Sequence, residues 1–230
     1  LPGGVPAWIF GGEYREEKVA NHFNGYANQP VADHSGSDLS GRFDVTEVFT
    51  ELSLLLLESL TVDGAYRYSD YSTIGSTDTW KLGTLWQPID SLSLRGTLSS
   101  AVRAPNIGEL FKPQTSTSTA LAEDPCHIDN IHSGSSTRAV NCAQQLSALG
   151  VDPTTFAPVL GTFFPGLTGG SPNLTEETSK TRTLGFIWQP ANIQGLQLSV
   201  DDFDIEITDA VITPRQTAIF NACYDADSLD

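Results

Sequence analysis

Residues Leu82–Pro88 read LGTLWQP, and Leu184–Pro190 read LGFIWQP. Each copy is followed within a few residues by an alternating stretch, SLSLRGTLSS from Ser91 and GLQLSVD from Gly195. Such a joint has a physical reading. A tryptophan at a strand end keeps its ring on an apolar face while the indole N–H reaches water. The glutamine after it takes the opposite face, and the proline, which has no N–H for a ladder, ends the strand and sets the turn. Two copies then mark two equivalent hairpin ends at one level. The plainer alternative is chance recurrence of WQP at two ordinary turns, against which stand the shared Leu-Gly before it and the shared alternation after it.

Working outward, Leu92–Arg103 alternates cleanly. Leu92, Leu94, Gly96, Leu98, Ser100 and Val102 fall on one face, and Ser93, Arg95, Thr97, Ser99, Ala101 and Arg103 on the other. The same period of two runs through Ala7–Glu17, Thr46–Leu56, Val62–Tyr71, Thr79–Gln87 and Thr181–Gln189. A seventh stretch, Leu196–Ile207, changes phase: Leu196, Leu198 and Val200 share one parity, Phe203, Ile205 and Ile207 the other. One extra residue would restore the face, so a β-bulge is expected at Asp201–Asp202. The expected fold is all-β.

Composition sets the limits. The 230 residues include 20 Gly and 13 Pro, with 39% apolar residues, which favours strands and turns. Lys and Arg total 12 against 28 Asp and Glu, a formal charge of -16 that repels nucleic acid. Methionine is absent, and LPGGVPAWIF at the start lacks the basic and apolar regions of a signal peptide. No apolar run approaches the roughly 20 residues of a membrane-spanning helix, the longest being LSLLLLESL at Leu52–Leu60. Spanning strands need only about 9–11 residues of alternating character, so a barrel stays open.

Loop lengths narrow the choice. The gaps after the second, fourth and sixth strands are short, whereas Lys18–Gly41, Ser72–Asp78 and Ala104–Lys180 are longer. All short turns then lie at one edge, a regularity expected of an antiparallel up-and-down transmembrane β-barrel and not of a Greek-key sandwich. On this reading Trp86 and Trp188 belong to an aromatic belt at one membrane interface.

Longer segments resemble a known family. RAPNIGELFKP (Arg103–Pro113), NLTEETSKTRTLGFIWQP (Asn173–Pro190), LQLSVDDFDIEITDAVI (Leu196–Ile212) and AYRYSDYS (Ala65–Ser72) look like segments of TonB-dependent outer-membrane receptors, in the family's order. Thr175 stands where the family often has proline. The resemblance implies a partial barrel of about seven strands with long outer loops, taken from a wall of about twenty-two strands. It implies that residues 1–230 are part of the barrel domain, with the N-terminal plug domain and the C-terminal strands outside the chain. Cys223 would then pair with a cysteine beyond Asp230. The implied activity is binding of a scarce nutrient at the outer loops and import powered through TonB. The implied partners are outer-membrane lipid, the TonB energy-transducing complex acting through the plug, and a small ligand such as an iron chelate, cobalamin or oligosaccharide. The implied location is the outer membrane of a Gram-negative bacterium. The rival readings are a secreted soluble β-sandwich that binds carbohydrate and a passive porin-type channel.

Candidate chemistry is sparse. Cys126 and Cys142 enclose a polar Ser/Gly-rich stretch and make a plausible local disulfide, which points to an oxidising compartment. Cys126, His127, Asp129 and His132 in CHIDNIH match no compact zinc spacing, and the acids of DDFDIE and DADSLD lack the Gly and Glu of a calcium loop. No metal or cofactor is expected. The sequence holds no nucleophile elbow, phosphate loop or HExxH, and His22, His34, His127 and His132 fall in loops, so no enzyme activity is expected. Glu13, Arg15, Glu47, Glu51, Asp63, Arg67, Lys81, Arg95 and Arg103 share the polar parity and either line an inner wall or form the wet face of any half-buried sheet. Ligand contact is expected in the long loop, through Phe111, Phe156, Phe163 and Phe164; alternatively these rings only pack the loop on itself. Strongly anionic ligands are disfavoured by the acidic charge.

Overall fold

A computed structural model describes residues 1–22, 37–120, 123–159 and 163–228. These divide into two compact units. The first is a single antiparallel sheet of seven strands: β1 (Ala7–Asn21), β2 (Leu39–Leu57), β3 (Leu60–Tyr71), β4 (Gly75–Ile89), β5 (Leu92–Arg103), β8 (Glu177–Trp188) and β9 (Leu198–Thr208). Neighbours in the sheet follow chain order, β1-β2-β3-β4-β5-β8-β9, so the chain runs up and down without a crossover. The sheet is an unclosed piece of barrel, with β1 and β9 as its edges.

Register explains why the sequence alternates in one phase. Leu52 lies opposite Trp8 and Gly64, Tyr66 opposite Trp80, Leu82 opposite Leu98, and Leu94 opposite Phe186. Residues paired across an antiparallel ladder share a face. Even-numbered residues meet even-numbered ones in the run of every pairing, and so line one face of all seven strands. That face is apolar and open: Phe10 is 75% exposed and Leu184 68%. Among the described residues no second layer covers it, which removes the β-sandwich.

The two WQP joints prove equivalent in a way the sequence does not announce. Trp86 pairs with Leu60, the first residue of β3, and Trp188 with Leu92, the first of β5. The N–H of Gln87 donates to the carbonyl of Ser59 at 2.7 Å, and that of Gln189 to the carbonyl of Ser91 at 2.8 Å. Each Gln thus ties the end of a descending strand to the turn before it. Pro88 does not end its strand, however: β4 continues to Ile89 through a register shift between Trp86 and Ile89. A bulge is one of the places where a residue without an N–H costs the ladder nothing. A second shift lies between Leu55 and Leu57. Both shifts return an odd-numbered apolar residue, Leu57 or Ile89, to the even face beside Leu60 or Leu92.

The bulge expected at Asp201–Asp202 is absent, since β8 and β9 pair without a shift from Trp188↔Leu198 to Thr178↔Thr208. The change of phase is real, and the faces themselves change character there. Ser72–Ile74 is a tight turn and no long gap, because β4 begins at Gly75. The strands also run longer than the alternation alone suggests, with 15 residues in β1 and 19 in β2.

The second unit adds short helices to the expected all-β architecture. It holds a two-stranded hairpin, β6 (Thr115–Ala120) with β7 (Phe163–Thr168), and two helices, α2 (Arg138–Ala148) and α3 (Gln216–Tyr224), numbered after the five-residue α1 (Ile107–Phe111) of the first unit. In α2 the buried Arg138, Asn141, Cys142 and Leu146 fall on one helical face. Cys126 and Cys142 are bonded, S–S 2.00 Å, and with Ile131 and Leu146 form a small core against which Ala139, Phe156 and Tyr224 pack.

Candidate functional site

The open apolar face carries rings at two levels. Trp86 and Trp188 lie at the lower rim, and Tyr14, Tyr66, Tyr68 and Trp80 toward the other end, all on even positions and all exposed. Above the upper ring level the same face turns polar. On β8 and β9 it does so at Leu184↔Asp202, followed by Arg182↔Asp204 with an ion pair at 3.2 Å, and Lys180↔Glu206. On β1 and β2 polarity begins higher, with Glu16↔Asp44 above Tyr14↔Thr46. A boundary that crosses the hydrogen-bonding rows obliquely is what strands tilted about 35–45° to a bilayer require. This accounts for the phase change in β9: the strand leaves the apolar band at Asp202, and Phe203, Ile205 and Ile207 take the other face.

That other face holds the ionic groups. Glu47 is 3% exposed and accepts from the hydroxyl of Ser69 at 2.6 Å and from Arg67 at 3.3 Å, with Arg15 at 4.0 Å. Arg15 also reaches Glu13 at 3.3 Å and Glu17 at 3.1 Å. Arg67 lies over the Phe49 ring, 5.1 Å from its centroid. Burying a carboxylate without such partners would be costly, so the two guanidiniums compensate the Glu47 charge. Lower on the wall, Arg95 donates to Asp201 at 2.7 Å and to Ser199 at 3.2 Å. The pair bridges β5 to β9 across β8, at the row Arg95↔Gly185↔Asp201. Glycine is favoured there, because a Cβ on residue 185 would lie 2.0 Å from Asp201 Oδ1 and 2.9 Å from the Val200 carbonyl oxygen. All nine charged residues named from parity are odd-numbered and so share the polar face; Glu51 faces Ala65, Asp63 accepts from Ser53 at 2.6 Å, and Lys81 lies on the same row as Glu51.

At the upper end of this face sits α1. Asn106 caps it by accepting from the Glu109 N–H at 2.9 Å, while Glu109 accepts from the Asn106 N–H at 2.8 Å. The Asn-x-x-Glu spacing within RAPNIGELF was the available signal for this capping box. Arg103 donates to both Glu109, at 3.0 Å, and Glu177, at 2.5 Å. Arg103 first, then the Asn106 N–H, holds the Glu109 carboxyl below the usual range. The helix packs on β2; Ile107 and Leu110 are buried, as are Phe43 and Val45 of β2, the last fully inaccessible.

Of the four aromatic residues expected at a ligand mouth, the side chains of two are described. Phe111 lies against β2, where a Cβ on Gly41 would be 2.5 Å from its ring. Phe156 packs on the disulfide core. The side chains of Phe163 and Phe164 lie outside the described residues, as does His34. Cys126 is taken by its disulfide, and among the described residues no group of three or more His, Cys, Asp or Glu side chains is placed to hold a metal. Cys223 is exposed and unbonded. The interaction that sequence reasoning missed here is Arg138–Asp225: the Arg138 Nε donates to Asp225 at 2.7 Å, the Ser135 N–H donates to it at 2.9 Å, and Asn141 donates to the carbonyls of Tyr224 and Ala226, each at 2.9 Å. Arg138 first and the Ser135 N–H second lower the Asp225 pKa to about 2.

One apolar face with ring belts, one ionic face and up-and-down connections define a wall segment of an outer-membrane-type β-barrel. The chain matches the TonB dependent receptor-like, beta-barrel family over residues 2–228 and belongs to it. Among solved structures, it is similar to the siderophore receptor PirA from Acinetobacter baumannii, with 18% identity and TM-score 0.58 over 89% of this chain and 25% of that one. A mutant of the ferric enterobactin receptor PfeA from Pseudomonas aeruginosa, in complex with enterobactin, gives 16% identity and TM-score 0.58 over 90% and 25%. PirA from Pseudomonas aeruginosa gives 15% and 0.55 over 88% and 29%. The chain therefore spans about a quarter of the length of the receptors it matches.

Proposed function

We propose that residues 1–230 are part of the barrel of an outer-membrane importer in a Gram-negative bacterium, whose plug domain and remaining strands are supplied by other parts of a longer chain. The single observation that carries this is the shared parity of all seven strands, which within the apolar band turns Leu, Trp and Tyr to one side and Arg, Glu and Asp to the other. In a bilayer the first side faces lipid, and the second lines a hydrated interior. Edge strands β1 and β9 each have one neighbour, so further strands must complete the backbone hydrogen bonding that hydrocarbon demands.

The whole receptor binds a scarce nutrient on its outer side and imports it with energy delivered by TonB through the plug. Among iron chelate, cobalamin and oligosaccharide, the similar solved receptors favour a ferric chelate, since their names are those of siderophore and enterobactin receptors. This segment supplies wall and outer loops, with the disulfide-tied loop 123–159 as part of the outer surface. Deleting the gene should abolish growth on ferric siderophore as sole iron source in one or more chelate classes, and deleting tonB should have the same effect. Uptake that persists without TonB would make the protein a passive channel and defeat the proposal.

A further inference from the structure

We propose that α1, with Gly170 and Ser171 zipped to it, forms a fixed sill on the polar face at the upper end of β1 and β2, and that Arg103 is the positioning residue that seats it. This rests on the proposed barrel orientation, which makes that face the lumen and that end the mouth.

The placement follows from packing. Gly41, Phe43 and Val45 are odd-numbered residues of β2 and point to the polar face. A Cβ on Gly41 would meet the Phe111 ring at 2.5 Å and Ile107 at 3.0 Å, so the absence of a side chain there is what lets α1 approach. Phe43 is 5% exposed, Val45 0%, Ile107 7% and Leu110 2%, a buried apolar patch on a face that elsewhere mixes charged and neutral polar residues. The returning chain locks the helix from its far side. The Gly170 N–H donates to the Lys112 carbonyl at 2.7 Å and the Ser171 N–H to the Glu109 carbonyl at 2.8 Å. Residue 170 is also too close for a side chain, since a Cβ would lie 2.6 Å from the Glu109 carbonyl oxygen. Both limbs of the long loop are therefore fastened to one short block.

Arg103 ends β5 and joins this block to the wall. Its guanidinium spans Glu109 on α1 and Glu177 at the start of β8, and the same Glu177 accepts from the Val211 N–H at 2.6 Å beyond β9. One cation thus holds α1, β5 and β8 in register, and through Glu177 the exit of β9. The consequence is directional. The β1–β2 side of the mouth is closed to a ligand, leaving the wall of β5, β8 and β9, where Thr97, Ser99, Thr181 and Thr183 present neutral hydroxyls beside Phe203 and Ile205.

Thiol labelling of the full receptor in intact cells tests this, with a membrane-impermeant methanethiosulfonate as probe and Cys223→Ser as background. Val45→Cys lies under the sill and Ala101→Cys on the open wall. The first should label at least about tenfold more slowly, and Arg103→Gln should remove about a tenfold factor of that protection, as expected for loss of charge-assisted hydrogen bonds of about 1.4 kcal/mol. Arg103→Lys should restore part of it. Gly41→Val, which displaces α1 sterically, should expose position 45 in the same way with Arg103 intact, and heat-modifiable migration confirms that each variant is a folded barrel. Equal labelling at 45 and 101 in the parent, or protection at 45 that survives Arg103→Gln, overturns the sill. Leu98→Cys keeps the two readings apart: rapid labelling there would strike at the orientation of the wall itself, whereas failure of the sill changes only position 45.

Discussion

Gly185 and Gly83 occupy the same place in the two repeats, each three residues before the tryptophan and each on the polar face, yet they should respond oppositely to alanine. At Gly185 a methyl would lie 2.0 Å from Oδ1 of Asp201 and 2.9 Å from the Val200 carbonyl oxygen. Asp201 can rotate away, which breaks its pair with Arg95; that pair is more than 40% exposed on both sides and contributes little. The carbonyl of Val200 cannot rotate away, because it belongs to the β8–β9 ladder, and forcing a methyl against it costs about 1–3 kcal/mol in overpacking. Gly185→Ala should therefore destabilise by about 1–3 kcal/mol. At Gly83 the nearest atoms are Asp63 Cβ at 3.9 Å and its carbonyl oxygen at 4.0 Å, an ordinary contact. Gly83→Ala should change stability by no more than about 0.5 kcal/mol, or raise it slightly by restricting the unfolded chain. Guanidinium unfolding of the full receptor in detergent, followed by tryptophan fluorescence, measures both. Equal costs at the two glycines, or none at 185, would refute the account of the Arg95–Gly185–Asp201 row.

The docking of α3 on α2 depends on Asp225 being ionised. Its pKa is lowered in the folded state to about 2, against about 3.9 for an unperturbed carboxyl, so this contribution is complete above pH ~4 and is lost as pH falls through ~2. Hydrogen-exchange protection of residues 216–224, relative to the intrinsic rate at each pH, should be high at pH 5 and fall below pH 4, and Arg138→Gln should lower it at both; protection indifferent to Arg138 would contradict the pairing. Reducing the Cys126–Cys142 bond frees a loop with 16 residues of separation, worth about 3 kcal/mol on chain-entropy grounds. Reductant should therefore speed proteolysis within residues 123–159 while leaving the heat-modifiable barrel intact, and cleavage at an unchanged rate would speak against a local staple.

The wall was legible in the sequence because a half-exposed sheet needs only one rule, alternation, and each strand carries it independently. Leu92–Arg103 alone discloses both faces, and the WQP joints disclose their common level. Two details of the same strands differ from the alternation for one reason. Against an ideal ladder Pro88 stops a strand, and the phase change at Asp201 requires an extra residue. In the structure the bulge falls at Gln87–Pro88, where it returns Ile89 to the apolar face. At Asp202 no correction is needed, since the strand has left the apolar band. The second unit was far less legible. Its helix α2 has Cys142 and Leu146 four residues apart, but its other buried positions, Arg138 and Asn141, are polar and pair with residues more than 80 positions away. Local composition there reads as loop. The inward fold of α1 was equally hidden, because what permits it is Gly41, a residue of β2 far earlier in the chain.

Site-directed spin labels measured with oxygen and a water-soluble nickel chelate report which face of the wall meets lipid. Labels at Leu94, Leu98 and Phe186 in the receptor reconstituted in lipid should favour oxygen, and labels at Thr97, Ser99 and Thr183 should favour the chelate, alternating residue by residue along β5 and β8. Loss of the alternation, or the reverse preference, would contradict a wall whose even-numbered side chains lie in the membrane.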